Sequence, residues 1–476
     1  MSVTPKAAKE LARVPVGVLL LRYSVPSIVG MLAMALYNVV DRLYVSHAVG
    51  PTGMAGFALT FPVTMVTVAL GMLIGVGTTT RISIAMGQGK RRIARCYLGQ
   101  AVCLYAILSL IIYPLIVAFF LDPILALTGG TPSSIPYARE YLQITLTGCI
   151  TQYLCYALSN IMRAEGHPKK ALCTMLLGAG TNLILDPFFI FDTVPLGFCE
   201  VPGLGWGIRG AAVATVLGQA AASAWNLVHF LRPSAALRLT FGYIKLYRPL
   251  IGGVFAVGLA PFALNLMGSI VNACYNALFK YWSPTEAIAD REIAAIGIII
   301  TIQSIIVMPV FGFAQGMQPI LGFSYGAKRY DRLRHTYSLA LRLGAVYIFT
   351  CTCLTILFRR QIIGAFCNAA DTGDLLLHGS HELGLFFGGF FFVGYAFIVS
   401  QYFQSIGKSL TSIILSFSRQ AFMLLPLMLL LPYLLGPIGL WYASPISDTM
   451  AVTMALIFDI LERRRLHRLE AALLSH

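Results

Sequence analysis

The sequence predicts an all-α integral membrane protein with twelve transmembrane helices in two pseudo-symmetric six-helix lobes. Three observations carry that expectation: composition, the length of the apolar runs, and an internal repeat. Of 476 residues, 58% are hydrophobic and 11% charged, against about 45–50% and about 25% in ordinary globular domains. Many apolar runs approach the ~20 residues a helix needs to cross a bilayer. The 44 glycines and 23 prolines fall largely inside those runs, where spanning helices tolerate them better than soluble helices do.

Taken in order, the runs predict helices at 24–46, 57–82, 97–121, 139–161, 170–192, 206–231, 250–280, 293–317, 337–358, 384–405, 411–434 and 438–461. The first follows Lys6, Lys9, Arg13 and Arg22. No short apolar core with a small-residue cleavage site precedes it, so the first span is expected to target the chain itself. An even number of spans puts both termini on one side. With that side cytoplasmic, 27 of the 34 Lys and Arg residues fall inside and 7 outside, as the positive-inside rule requires. The expected location is the inner (plasma) membrane, multi-pass, with both termini cytoplasmic. The net charge of +15 is spread between apolar runs rather than gathered on one domain, which argues against a nucleic-acid partner. The ten cysteines include no CxxC pair and are expected to pack as small apolar groups.

The two halves resemble each other. Gly56, Gly71 and Gly75 recur as Gly297, Gly312 and Gly316, each 241 residues on. The same offset relates Ser159 to Ser400 and Gly166 to Gly407, and the basic loops GQGKRR (87–92) and GAKR (326–329) follow after a two-residue slip. Six helices per repeat give both lobes the same orientation across the membrane. The expected domains are an N-terminal lobe at 1–231, a cytoplasmic linker at 232–249 carrying an interfacial helix, and a C-terminal lobe at 250–476.

Asp41 and Asp186 are the candidate functional residues. A carboxylate in a spanning helix costs about 2.5–3.5 kcal/mol at the bilayer centre and marks ion or substrate pathways. Both lie near the outer ends of their helices, about 7–9 Å deep at 1.5 Å per residue. Tyr37 and Asn38 share a helix face with Asp41, and Asn182 stands four residues before Asp186. Thr215 lies close to the same layer. Together these oxygens suit either a shared proton or a Na⁺ ion held by Asp41, Asn182, Asp186 and Thr215. The competing reading is structural: Asp41 pairs with Arg42 and Asp186 caps a helix end before Pro187. Fifteen residues separate Pro26 from Asp41 and Pro261 from Asn276, so the second half carries an uncharged Asn at the matching place.

Other patterns carry less. GWGIRG (205–210) matches a dinucleotide fingerprint but opens a membrane helix with no βαβ unit before it, and is expected to be a turn with close helix packing. The Gly71/Gly75 and Gly312/Gly316 spacings fit close helix contact. The aromatic run Phe386, Phe387, Phe390, Phe391, Phe392, Tyr395 and Phe397 suits either a cavity for flat cations or lipid-facing packing. No HExxH, GxSxG or P-loop occurs, and no catalytic cluster points to an enzyme.

With acids and repeat in place, the chain resembles the multidrug and toxic compound extrusion (MATE) family, in the branch of the DNA-damage-inducible protein F. The segments that carry the resemblance are VPSIVGMLAMALYNVVDRLYV (25–45), MRAEGHPKKA (162–171), NLILDPFFI (182–190), GIRGAAVAT (207–215), YFQSIGKS (402–409), SFSRQ (416–420) and SPISD (444–448). It implies a V-shaped cavity between the lobes and secondary antiport of cationic amphipathic compounds against H⁺ or Na⁺, by a monomer without cofactor. Family roles fall on Asp41, Asp186, Asn182 and Thr215 for the ion, on Tyr141 and Asn160 for the cavity, and on Pro26 as a helix-1 hinge. The alternative is a lipid or lipid-linked saccharide flippase of the same superfamily, which Arg419 alone keeps open.

Overall fold

A chain this apolar satisfies its backbone in a bilayer by intrahelical hydrogen bonds, and the computed structural model is accordingly helical almost throughout. The structure describes residues 10–11, 14–127, 132–195, 200–233, 235–366 and 374–474. The helices are α1 (Val16–Leu59), α2 (Phe61–Gly87), α3 (Arg91–Phe119), α4 (Leu121–Leu127), α5 (Ile135–Thr147), α6 (Cys149–Ala164), α7 (Pro168–Ile190) and α8 (Ile208–Leu231). They continue with α9 (Arg248–Trp282), α10 (Glu286–Gly326), α11 (Tyr330–Leu357), α12 (Arg359–Gly364), α13 (Asp374–Phe386), α14 (Val393–Ser405), α15 (Ser409–Phe417), α16 (Leu425–Leu435) and α17 (Gly439–Leu474).

Each predicted span has its helix. Ten helical stretches among the described residues are long and apolar enough to cross a membrane. The predicted fourth span is divided at Gly148 into α5 and α6, and 409–471 runs as one helical stretch holding the last two. Two corrections apply. The linker holds only one 3₁₀ turn, Phe241–Tyr243, and no interfacial helix among its described residues. A short antiparallel ribbon, β1 (Thr193–Pro195) with β2 (Glu200–Pro202), precedes GWGIRG. The glycines there serve close packing as expected: a Cβ on Gly210 would lie 2.3 Å from the Phe189 carbonyl oxygen.

The internal repeat is written into the backbone. At the end of α6, Gly166 N–H donates to the Arg163 carbonyl (3.0 Å) and His167 N–H to that of Met162 (2.9 Å). At the end of α14, Gly407 donates to Gln404 (3.1 Å) and Lys408 to Phe403 (3.0 Å). Both are Schellman caps, whose left-handed residue favours glycine, and all partners differ by 241. The cap ending α2, with Gly89 and Lys90, reappears after α10 at Lys328 and Arg329, two residues short of that offset. Lys328, at φ 56°, occupies the left-handed position that Gly89 fills at φ 75°.

The chain forms two compact units, Met1–Gly258 and Leu259–His476. In the first, α1 packs on α7 and α8, and α2 packs on α3 and α6. Its core holds a tyrosine stack. Tyr105 donates to the Gly71 carbonyl (2.8 Å), Tyr153 donates to that of Thr67 (3.0 Å), and the Tyr113 hydroxyl bonds to Tyr153. Gly71 faces the Tyr153 ring, so the Gly71/Gly75 spacing admits aromatic rings between helices. The opening turns of α9 belong to this unit, where a Cβ on Gly258 would lie 1.7 Å from the Leu73 carbonyl oxygen. In the second unit, α11 packs on α10 and α14, and α17 on α16. Phe386, Phe387 and Phe390 are buried, which gives this part of the aromatic run to core packing.

Candidate functional site

The packing of α1, α7 and α8 brings Asp41, Asp186, Asn182 and Thr215 together. All four are buried, with Asp186 fully inaccessible. Asn182 and Asp186 share a face because they are one turn apart on α7, and the Asn182 amide donates to Asp186 Oδ1 (3.1 Å). The same Nδ2 reaches Thr215 Oγ1 on α8 (3.4 Å). Asp41 on α1 meets Asp186 side chain to side chain. Tyr37 and Tyr141 lie beside Thr215, within electrostatic reach of both carboxylates.

Three oxygens at this point have no hydrogen-bond partner: Asp41 Oδ1, Asp186 Oδ2 and Asn182 Oδ1. Buried polar atoms are nearly always paired, and two facing carboxylates in a low-dielectric interior repel unless a proton or cation lies between them. The orphaned atoms are two carboxylate oxygens and an amide carbonyl, a hard-oxygen set that suits H⁺ or Na⁺. The competing structural reading finds no support in a cap, because Asp186 lies inside α7, one turn before its end at Ile190.

The remaining predicted residues divide. The Asn38 side chain lies outside the described residues. Pro26 sits within α1, which runs unbroken through it, although a proline leaves the Arg22 carbonyl without an intrahelical donor. Asn160, expected at the cavity rather than at the ion cluster, bonds within its own helix. Its amide donates to the Tyr156 carbonyl (2.9 Å) and accepts from the buried Arg163 (2.6 Å). It lies 19 residues beyond Tyr141 along α5 and α6, roughly 28 Å at helical rise.

Among the polar clusters that sequence reasoning missed, two stand out by burial. Glu165, buried in the turn between α6 and α7, accepts from His229 Nε2 (2.7 Å) and from the Leu237 backbone N–H (2.8 Å). Lys170 approaches His229 Nδ1 at 3.2 Å, so Nε2 carries the imidazole proton. The link from a helix turn to a linker residue has no periodic signature; MRAEG was legible only as a resemblance. The second is Asp448, a buried acid in α17 bonded to Arg419 Nε at 2.6 Å. Buried spanning acids are therefore not confined to the first half, contrary to the asymmetry the sequence suggested. An Asp within the last apolar run was the available signal.

A membrane fold that is helical apart from one short ribbon, with a buried carboxylate pair inside one repeat, has the build of a membrane transporter. The MatE family model matches residues 26–188 and 266–430, two segments that begin 240 residues apart and end 242 apart. The chain belongs to the MATE family of transporters. It is 20% identical over 453 residues to the multidrug export protein MepA of Staphylococcus aureus, covering 95% of each chain. It is 24% identical to an FAD transporter of Shewanella oneidensis, over 92% of this chain and 93% of that one. Among solved structures, the MATE multidrug transporter DinF-BH superposes with a TM-score of 0.85 at 31% identity, covering 97% of this chain and 98% of that one.

Proposed function

We propose that the protein is an inner-membrane antiporter that exports cationic amphipathic compounds in exchange for H⁺ or Na⁺, with Asp41 and Asp186 holding the coupling ion. The observation that carries this reading is the facing carboxylate pair with unpartnered oxygens on α1, α7 and α8. An ion entering the pair removes the repulsion between α1 and α7 and lets them close. Its departure restores two like charges that drive them apart. A ligand that binds one arrangement better shifts the population toward it. Tyr37 and Tyr141 place two aromatic faces beside that step, suited to a flat organic cation.

The 27-to-7 distribution of basic residues supports cytoplasmic termini and an outward-facing ion site. The multidrug export of MepA and the multidrug transport of DinF-BH support a broad organic cargo. The flippase alternative would need basic head-group ligands at this site, and its charged members are acids. The test is uptake of the flat cationic dye rhodamine 6G into inside-out vesicles with pH and Na⁺ gradients imposed separately. Stimulation by one gradient supports the reading and names the ion; stimulation by neither overturns it.

A further inference from the structure

The second unit holds a polar site that the Asp41–Asp186 pair does not use. Arg419 lies in a π-helical stretch, Ser418–Leu424, between α15 and α16, and such widened turns concentrate at functional sites. Its Nε donates to Asp448 Oδ1 (2.6 Å), and Ser447 Oγ donates to its carbonyl (2.7 Å). Asp448 is 1% exposed, whereas the Arg419 side chain keeps 23% of its surface open. The Tyr275 hydroxyl on α9 lies within electrostatic reach of both.

The pairing leaves donors over. Of the guanidinium nitrogens only Nε is engaged, so the two terminal nitrogens, the part of arginine that forks onto carboxylate and phosphate, have no partner among the described residues. The buried Tyr275 hydroxyl has none either, and two acceptors beside the arginine, Asp448 Oδ2 and Gln420 Oε1, are also unpartnered and would face the proton-bearing part of a bound compound. An arginine in a spanning helix faces the protein interior or a water-filled path rather than lipid.

We infer that Arg419, held in place by Asp448 and flanked by Tyr275, binds an acidic group, a carboxylate or phosphate oxyanion, on compounds the protein carries. The two terminal guanidinium nitrogens are the donors that fork onto an oxyanion, and the Tyr275 phenol is a further hydroxyl within electrostatic reach. Asp448 is a positioning residue, because it neutralises the arginine at rest and fixes the direction of its fork. The inference rests on the transporter reading and assigns the residue that recognises an acidic group on its cargo.

The test compares rhodamine 6G, an ester, with its free acid, rhodamine 19, by fluorescence polarisation on purified protein in phosphatidylcholine nanodiscs. Arg419→Gln leaves Asp448 buried and unpaired, so the deciding variant is the double substitution Arg419→Gln with Asp448→Asn, which removes both charges. Retained ester binding shows that it is folded. The expected result is a loss of about tenfold or more for the acid with less than about twofold for the ester. Arg419→Lys, which keeps the charge without the fork, is expected between wild type and double variant. Equal effects on both dyes, or none, overturn the inference while leaving cation export standing. If neither dye binds the wild type, the transporter reading fails first and this one with it. Phosphatidylglycerol that competes with the acid in wild type but not in the double variant identifies lipid phosphate as a second source of the same oxyanion.

Discussion

Asp186 has one oxygen on Asn182 and the other on no donor, beside a second buried carboxylate on α1. Replacing either acid by its amide removes the repulsion that an ion would otherwise relieve. Asp41→Asn and Asp186→Asn are each expected to reduce gradient-driven export to background in the vesicle assay while membrane insertion stays normal. Wild-type export from both variants would remove the pair from coupling. Thr215→Val separates the ions: it deletes an oxygen that a Na⁺ shell needs and that a shared proton does not, so it is expected to weaken Na⁺-driven export and spare H⁺-driven export. The residue types and four-residue spacings behind this site were readable from the sequence, because a charge in an apolar run is costly wherever the run folds. What the spacing did not announce is the local partner of Asn160: Arg163, three residues on, donates to its side-chain carbonyl.

The turn between α6 and α7 shows how an element is fastened. Its Schellman cap needs a left-handed residue, so Gly166→Ala and Gly407→Ala are each expected to cost about 1–2 kcal/mol, measured as a shift in thermal denaturation in detergent. Beside that cap, Glu165 serves two buried donors, His229 Nε2 and Leu237 N–H. Glu165→Ala is expected to destabilise by about 1–3 kcal/mol for each donor it orphans and to release the 232–249 linker to proteolysis. His167, next to this cluster, is pushed below its ordinary value mainly by burial, helped by Lys170 and His229 and opposed by Glu165 and Glu10. A histidine depressed in the folded state binds fewer protons there than when unfolded. Its stabilising share is complete above the usual imidazole range and is lost as pH falls through that range toward the lowered value. Thermal stability is expected to drop on acidification across this window, and His167→Gln is expected to flatten the slope. The C-terminal unit fastens the corresponding turn with the signs reversed: Lys408 pairs with Glu462 of α17, which also accepts from Tyr402 (3.2 Å). The repeat preserved the geometry of the turn and its caps but not the chemistry of its tie, so the 241-residue offset marks where the first recurs and says nothing of the second.

At the scale of the whole molecule, the sequence determined the solvent, the number of crossings and the duplication. Hydrophobic run length and basic-residue asymmetry are set by the bilayer, which acts on each segment separately, so they are readable without knowing which helix packs on which. The same locality let the Gly166/Gly407 repeat show in the sequence, since the Schellman caps these glycines form involve only about six consecutive residues. Tertiary structure decided what depends on distant segments meeting. It placed α1 against α7 and α8, which turned two isolated acids into a facing pair. It sent Glu165 to His229 and to a linker whose described residues hold no interfacial helix. It also set Asp448 against Arg419, giving the second unit a charged interior that a one-sided reading of the acids had denied it. A lone buried charge is costly in apolar sequence, but its meaning lies in its partner, and partners are chosen by packing between helices that the sequence lists far apart.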